Sequence, residues 1–365
     1  MELKKHFANV EEIIEKFDFE KEQKTALLNY AKKFSNNEKL ILLAQNYYDL
    51  IFNSNESVDV NALKEEDGLE QGMLFAMIYL VRCELFASVL AKKGIPEKYS
   101  TSAIWHYKDL FKKNFDCYGF FGFTNMYRKG MIQYVKPITY RIGRLSFEMT
   151  TITAPYIVYK NKKTGEHLPL IINGQIYLLD GKPAPKNYDG KTFTATITED
   201  DNSVVGYTVN EKGELVFDKI TLSKSDYEVV LKTGDKALSV HIPGNEKMSD
   251  DIIKSSFIEA KAFFDKYHSD TEFKAFYCSS WLLDTGFERF LKPESNILKF
   301  QKNFKVVLSF VNTFSIYWHI FGVQNFVPYS ELVPSNDFQR KVLDFVMGGG
   351  NIYSGNGYIL YNEIK

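Results

Sequence analysis

The residues best equipped for proton transfer sit at the ends of short apolar runs. Ala237 to Ile242 reads ALSVHI, with Leu238, Val240 and Ile242 alternating with Ser239 and His241. A period of two is that of a strand with one apolar and one polar side. The C-terminal tip of a strand is where open α/β sheets bind ligands, and an imidazole's ordinary pKa is close to neutral. His241 is therefore suited to take a proton from an attacking amine; a hydrogen-bonded histidine closing a strand is the other reading. Phe273 to Cys278 makes a second such run, and Cys278-Ser279-Ser280-Trp281 brings a thiol and two hydroxyls to its end. If the two strands are neighbours, these groups reach the same sheet edge as His241. The residue types allow a Cys–His nucleophile pair, but no third group to orient it is identifiable, and buried cysteine is usually inert packing. A hydrogen-bonding or proton-donating role for Cys278, Ser279 or Ser280 asks less. Along Tyr140 to Met149, YRIGRLSFEM, Leu145, Phe147 and Met149 take one side and Arg144, Ser146 and Glu148 the other. Glu148 with Arg144 reads either as a base and its partner or as an ion-paired, solvated face.

These strands are joined by a loop and a helix. Pro243-Gly244 stops the first run, and Ser249 can cap a helix whose apolar stripe is Ile253, Phe257, Ala260, Phe264 and Tyr267. A strand that feeds a helix N-terminus presents unpaired backbone N–H groups and a positive dipole end, which is the physics of an anion site. Glu246, Asp250 and Asp251 crowd that helix start with acids, and Lys247 pulls the other way. Phosphate binding and plain structural capping both remain open on the residues alone.

The elements that must carry these groups fall into two regions. From the start to about Phe115 apolar residues recur every three or four positions, as in Leu40, Leu43, Ala44, Tyr47, Tyr48 and Ile51, and again through Met73, Met77, Leu80, Val81, Leu85 and Val89. These stripes predict a helical domain in which Met77 and Tyr48 are core and His106 is structural. After Tyr118-Gly119-Phe120-Phe121-Gly122 the period changes to two. Turn signals at Lys163-Thr164-Gly165, Asn173-Gly174, Asp180-Gly181, Asp189-Gly190, Asp200-Asp201-Asn202 and Lys212-Gly213 predict an antiparallel hairpin array. Then come strand, loop, helix, strand, helix and strands. Val306 to Ser330 carries no charge, but its β-branched, aromatic and polar content suits paired strands better than a membrane span. A helix over 336–347 follows, and Ser354-Gly355-Asn356-Gly357 reads as the turn of a closing hairpin. The predicted fold class is α+β, with a helical domain over 1–135 and a mixed-sheet domain over 136–365 that includes the hairpin array 151–222.

Composition bounds the function. With 365 residues, 45 Lys and Arg against 46 Asp and Glu, and a net charge of −1, no overall field favours nucleic acid or an anionic membrane. Apolar residues make up 45% of the chain, which excludes disorder as a description of the whole. Cys83, Cys117 and Cys278 are isolated from one another and have no histidine at metal-ligand spacing, so neither a disulfide framework nor a metal site is indicated. The first twenty residues lack the apolar stretch of a signal peptide. A reducing, cytoplasmic setting is the expectation.

Four ordered motifs then look familiar: Arg141 to Glu148 (RIGRLSFE), His241-Ile242-Pro243, Cys278 to Asp284 (CSSWLLD), and Ser295-Asn296-Ile297 with Phe300-Gln301. Together they resemble a bacterial acyltransferase family that joins a helical N-acyltransferase domain to a GNAT-like C-terminal domain, and the resemblance covers nearly the whole chain. It implies a GNAT-like mixed sheet in which the strands ending near His241 and Cys278 splay to admit the pantetheine arm of an acyl-CoA, acetyl-CoA being the expected co-substrate, with no metal. Ile242, Pro243, Gly244, Asn245, Lys247, Ser249 and Trp281 would hold the co-substrate. His241, with Glu148 as second choice, would be the base, and Cys278 or Ser279 would assist the leaving thiolate. The acceptor would be a small-molecule or peptide amine. One departure stands out, because the family's diphosphate loop normally reads Gln/Arg-x-x-Gly-x-Gly/Ala and here the place is taken by Pro-Gly-Asn-Glu-Lys-Met-Ser. A non-catalytic GNAT-like ligand- or peptide-binding protein is the alternative, and a Cys278-dependent thioester hydrolase a third.

Overall fold

A computed structural model describes residues 2–53, 71–124, 126–244, 248–323 and 326–365. The chain divides into two compact units, Met1–Arg141 and Ile142–Lys365.

The first unit is helical: α1 (Glu2–Ala8), α2 (Val10–Lys16), α3 (Lys21–Ser35), α4 (Glu38–Phe52), α5 (Gln71–Ala91), α6 (Thr101–Tyr118) and α7 (Met126–Tyr134). Asn37 starts α4 by accepting from the N–H groups of Lys39 and Leu40, and Gly119 ends α6 in the left-handed conformation at φ 76°. By length and composition α5 could cross a bilayer, yet 67% of its most apolar window is buried inside the protein. Every residue from Leu74 to Val81 is fully enclosed. Its hydrophobicity is thus that of a central core helix wrapped on all sides. His106 is buried and stacks on Tyr134 at 3.4 Å between ring centroids, a packing role.

The second unit is built on a sheet of order β1-β2-β11-β12-β14-β13. Its strands are β1 (Thr139–Ile142), in which the boundary between units falls, β2 (Leu145–Thr151), β11 (Lys236–His241), β12 (Ala275–Ser280), β13 (Lys305–Val311) and β14 (Tyr353–Leu360). Between β2 and β11 lies the hairpin array: β3 (Tyr156–Asn161), β4 (His167–Ile171), β5 (Ile176–Tyr177), β6 (Phe193–Thr194), β7 (Thr198–Glu199), β8 (Ser203–Gly206), β9 (Ile220–Ser223) and β10 (Tyr227–Leu231). All of its pairings are antiparallel. Helices α8 (Asp250–Tyr267), α9 (Asn296–Gln301), α10 (Thr313–Ser315) and α11 (Asp337–Met347) complete the unit.

Both sheet faces are covered. On one, Phe257 of α8 meets Phe147 and Phe276 edge-on at 5.8 and 5.1 Å. On the other, Tyr156 and Val158 of the array pack with Ala237, Ala275, Tyr277 and Tyr358. Two expectations need correction here. Among the described residues of the uncharged stretch only 306–311, within β13, are strand, and the chain then coils into helical turns over 313–321. Ile316, Tyr317 and Ile320 join Phe287, Val342 and Val346 in a separate apolar cluster, so tertiary packing overrides the β propensity of that stretch. Nor is 354–357 a turn. It is the interior of β14, where a Cβ on Gly355 would lie 2.6 Å from the Leu283 carbonyl oxygen. These glycines permit a close backbone approach instead of a reversal.

Candidate active site

Strands β11 and β12 are the only parallel neighbours among the described pairings, and their ladder is short. It pairs Ala237 with Ala275, Leu238 with Phe276 and Ser239 with Tyr277, then stops. Both strands go on. β11 stays zipped to β2 as far as His241 opposite Ser146, and β12 stays zipped to β14 as far as Ser280 opposite Gly355. The two tips therefore part, each following its outer neighbour, and backbone amides at the parting have no partner across it in the ladder.

Register decides which side chains share a face. Ser239 opposes Glu148 and His241 opposes Ser146, so all four lie on one side of the sheet. There His241 Nε2 stands 2.9 Å from Glu148 Oε2, with side chains 31% and 17% exposed. The acid is a diagonal neighbour that fixes the ring and leaves it open to solvent. Ser239 opposite Tyr277 puts Tyr277 and, two residues on, Ser279 on this same face, and Ser279 is exposed. Burial pushes the Tyr277 phenol up to about 12.

Cys278 and Ser280 point to the opposite face, because neighbouring residues in a strand cannot share a side. Cys278 is fully buried, and burial pushes its thiol up to about 12. Its expected place beside His241 is thus corrected: it is core on the α8 side, in a setting that disfavours the thiolate. Arg144 is corrected as well. It does not face Glu148 along a strand but sits in the β1–β2 turn, buried, with Nη2 donating to the Pro243 carbonyl at 2.6 Å.

The loop residues are spread out. Ile242 is half-buried, Pro243 buried and Gly244 exposed; Asn245, Glu246 and Lys247 lie outside the described residues. Ser249 occupies the N-cap position of α8 and is exposed, but its side chain makes no capping hydrogen bond. Of the acids at that helix start, Asp250 is engaged by Lys254 at 2.6 Å, which holds its carboxyl below the usual range. Trp281 is half-buried beside the parting and lies parallel to His319, ring centroids 6.0 Å apart. Among the described residues no cluster of three His, Cys, Asp or Glu is arranged to hold a metal.

The GNAT-like C-terminal domain family matches residues 139–359. This chain belongs to that family. The motifs quoted from the sequence are largely the scaffold of the family fold in this chain. Ser295 caps α9 by accepting from the Ile297 N–H, and Gln301 donates to the carbonyls of Leu282 and Asp284, both at 2.8 Å. Solved structures share the architecture over both units. One is an acyltransferase variant with octanoyl-CoA, at 15% identity and TM-score 0.63, covering 98% of this chain and 88% of that one. An acyltransferase with decanoyl-CoA and teicoplanin gives the same four values. A third, an acyltransferase with decanoyl-CoA, matches at 18% identity and TM-score 0.56, covering 88% of this chain and 76% of that one. At such identities the likeness is one of fold. No curated protein sequence matches the chain.

Sequence reasoning missed Tyr277 as a neighbour of the site, and it missed the structural work of Arg144, Asp284 and Gln301. The first follows from alternation once the β11–β12 register is known. The others needed the approach of distant segments, which spacing along the chain does not encode.

Proposed function

We propose that this protein is an acyl-CoA-dependent N-acyltransferase that moves an acyl group directly from a CoA thioester to an amine. The observation that carries the reading is the parting of β11 and β12 after Ser239 and Tyr277, beside a half-buried His241–Glu148 pair. In this reading a linear thioester tail enters between the two strands where their ladder ends and bonds backbone amides there, one of which polarises the thioester carbonyl. His241, steadied by Glu148, takes a proton from the amine as its nitrogen attacks the carbonyl carbon. The C–S bond then breaks, and the departing thiolate takes the proton from the imidazolium that His241 has become or from solvent, with the exposed Ser279 hydroxyl on that face as a hydrogen-bond donor to the sulfur. Ile242, Pro243, Gly244, Asn245, Lys247, Ser249 and Trp281 are the residues assigned to hold the co-substrate. The chain length of the acyl group is left to acetyl-CoA or to the octanoyl and decanoyl chains held by the structural neighbours, and the acceptor to small-molecule or peptide amines such as the glycopeptide found with one of them.

The test is release of CoA thiol from acetyl-, octanoyl- and decanoyl-CoA in the presence of primary amines. His241→Ala is expected to cut turnover by roughly 10²- to 10⁴-fold with the thermal midpoint preserved; unchanged turnover refutes the assignment. A second reading, a non-catalytic binding protein, is favoured by the departure of 243–249 from the family's loop. It predicts ligand binding without thiol release. A thermal shift separates them from a chain that does not bind acyl-CoA at all, since ligand at 100 times its dissociation constant stabilises by about 2.7 kcal/mol.

A further inference from the structure

Two parallel strands that already share a ladder gain by extending it, because each new inter-strand hydrogen bond satisfies backbone groups that would otherwise be left to water. Something must draw the tips of β11 and β12 apart. We propose that two buried side chains, Arg144 and Asp284, are positioning residues that hold the slot open by pulling the chain beyond each tip toward its outer neighbour; the proposal rests on the acyl-CoA reading only for the identity of what enters the slot.

On the β11 side the chain leaves His241 and turns at Pro243, whose carbonyl accepts from Arg144 Nη2 at 2.6 Å. Arg144 is itself anchored, since its backbone N–H donates to Ser256 Oγ of α8 at 2.8 Å. Gly143 just before it has φ +59°, and a Cβ there would lie 2.5 Å from the same Ser256 oxygen, so the turn is seated hard against α8. The segment after β11 is thereby drawn toward β2.

On the β12 side Ser280 Oγ accepts from the Leu282 N–H, starting a tight turn. Asp284 ends it with both carboxylate oxygens engaged: Oδ1 takes the Gly286 N–H at 2.8 Å, and Oδ2 takes the N–H of Tyr353, the first residue of β14, also at 2.8 Å. Gln301 holds the carbonyls of Leu282 and Asp284. Gly355 and Gly357 leave the room that Leu283 occupies against β14. All of these draw the segment after β12 toward β14, the neighbour farther from β11.

Asp284 also titrates within reach. Burial raises its carboxyl to about 6 against the pull of the two N–H donors, Arg289 and Lys182; the Tyr353 phenol is the other titratable group facing it. Protonation removes one of the two acceptors, so the clip weakens as pH falls through about 6.

The experiment measures binding of CoA and decanoyl-CoA by calorimetry, and amide hydrogen exchange without ligand, on the full chain. It compares wild type, Asp284→Asn, Arg144→Gln and Gln301→Met at pH 7.5 and 5.5. Expected at pH 7.5 is about tenfold weaker binding in each variant, the equivalent of one strong hydrogen bond. The wild type should approach Asp284→Asn at pH 5.5, and the ratio of the two cancels every other titrating group, the ligand's phosphates included. In unliganded Asp284→Asn, amides of 239–242 should exchange more slowly as the tips close, whereas a merely loosened turn would speed exchange and only near 281–289. The proposal is overturned if the variants bind as wild type does, or if exchange at 239–242 is unchanged or faster. Should wild type bind neither ligand, the acyl-CoA reading fails and the exchange result alone decides on the clamps.

Discussion

At the residue scale the proposed general-base role of His241 draws on its pairing with Glu148. A carboxylate 2.9 Å from Nε2 selects the ring's orientation. Replacing Glu148 by Gln keeps the shape and removes the charge, so turnover should fall by roughly 10- to 100-fold, less than for His241→Ala, with the urea midpoint nearly unmoved; an equal fall for both variants would make Glu148 the base instead. Cys278→Ala should do the reverse. Thiol release from decanoyl-CoA stays within about twofold of wild type, while stability drops by about 1 kcal/mol for a small side chain removed from a full core. The residue types at the tips were legible from sequence, and so was the alternation that forbids Cys278 and Ser279 from sharing a face. Which of the two joins His241 was not, because that depends on the register Ser239–Tyr277 between strands thirty-odd positions apart.

At the scale of elements, local pattern succeeded where burial was one-sided. The strand before Pro243, the stripe of α8, the hairpin turns and the helix capped by Asn336 all carry a period that a single solvent boundary imposes. It failed where the surroundings are protein on every side. Gly355-Asn356-Gly357 has turn composition, yet β14 is buried along almost its whole length, and its glycines answer to Leu283 and Phe304 lying across it. Gly355→Ala tests that account. Its Cβ would sit 2.6 Å from a backbone oxygen that cannot swing away, so a loss of about 2 kcal/mol or more in urea unfolding is expected, against a few tenths for a glycine in an open turn such as Gly174 replaced by Asn. A loss at Gly355 no larger than that at Gly174 would show that the 281–284 turn is free to move, and with it the tip of β12.

At the scale of the whole molecule, the near-zero net charge makes no single sign of charge responsible for pH sensitivity, so individual buried groups carry it. Asp284 is the plainest case: the residue is 3% exposed, and its carboxyl is raised from 3.8 to about 6 by burial. The sign follows from which state holds the proton. Between about pH 4 and pH 6 the unfolded chain has lost it and the folded chain keeps it, so the native state binds more protons and stability falls as pH rises through that window. A shift of about two units corresponds to about 3 kcal/mol, fully lost above pH 6. Asp284→Asn cannot titrate and should be spared this loss. The difference in unfolding free energy between the two proteins, measured in urea at pH 4, 5, 6 and 7, is therefore expected to move toward the variant by up to about 3 kcal/mol and to level off above pH 6. A difference that stays constant across the series would mean that the carboxyl is already ionised at pH 4 and that its two N–H donors outweigh its burial. The variant that gains in this comparison is the one expected to bind CoA less well. A charge kept in the interior at the expense of stability, beside a strand tip that must not zip, is the trade expected of a group retained for positioning.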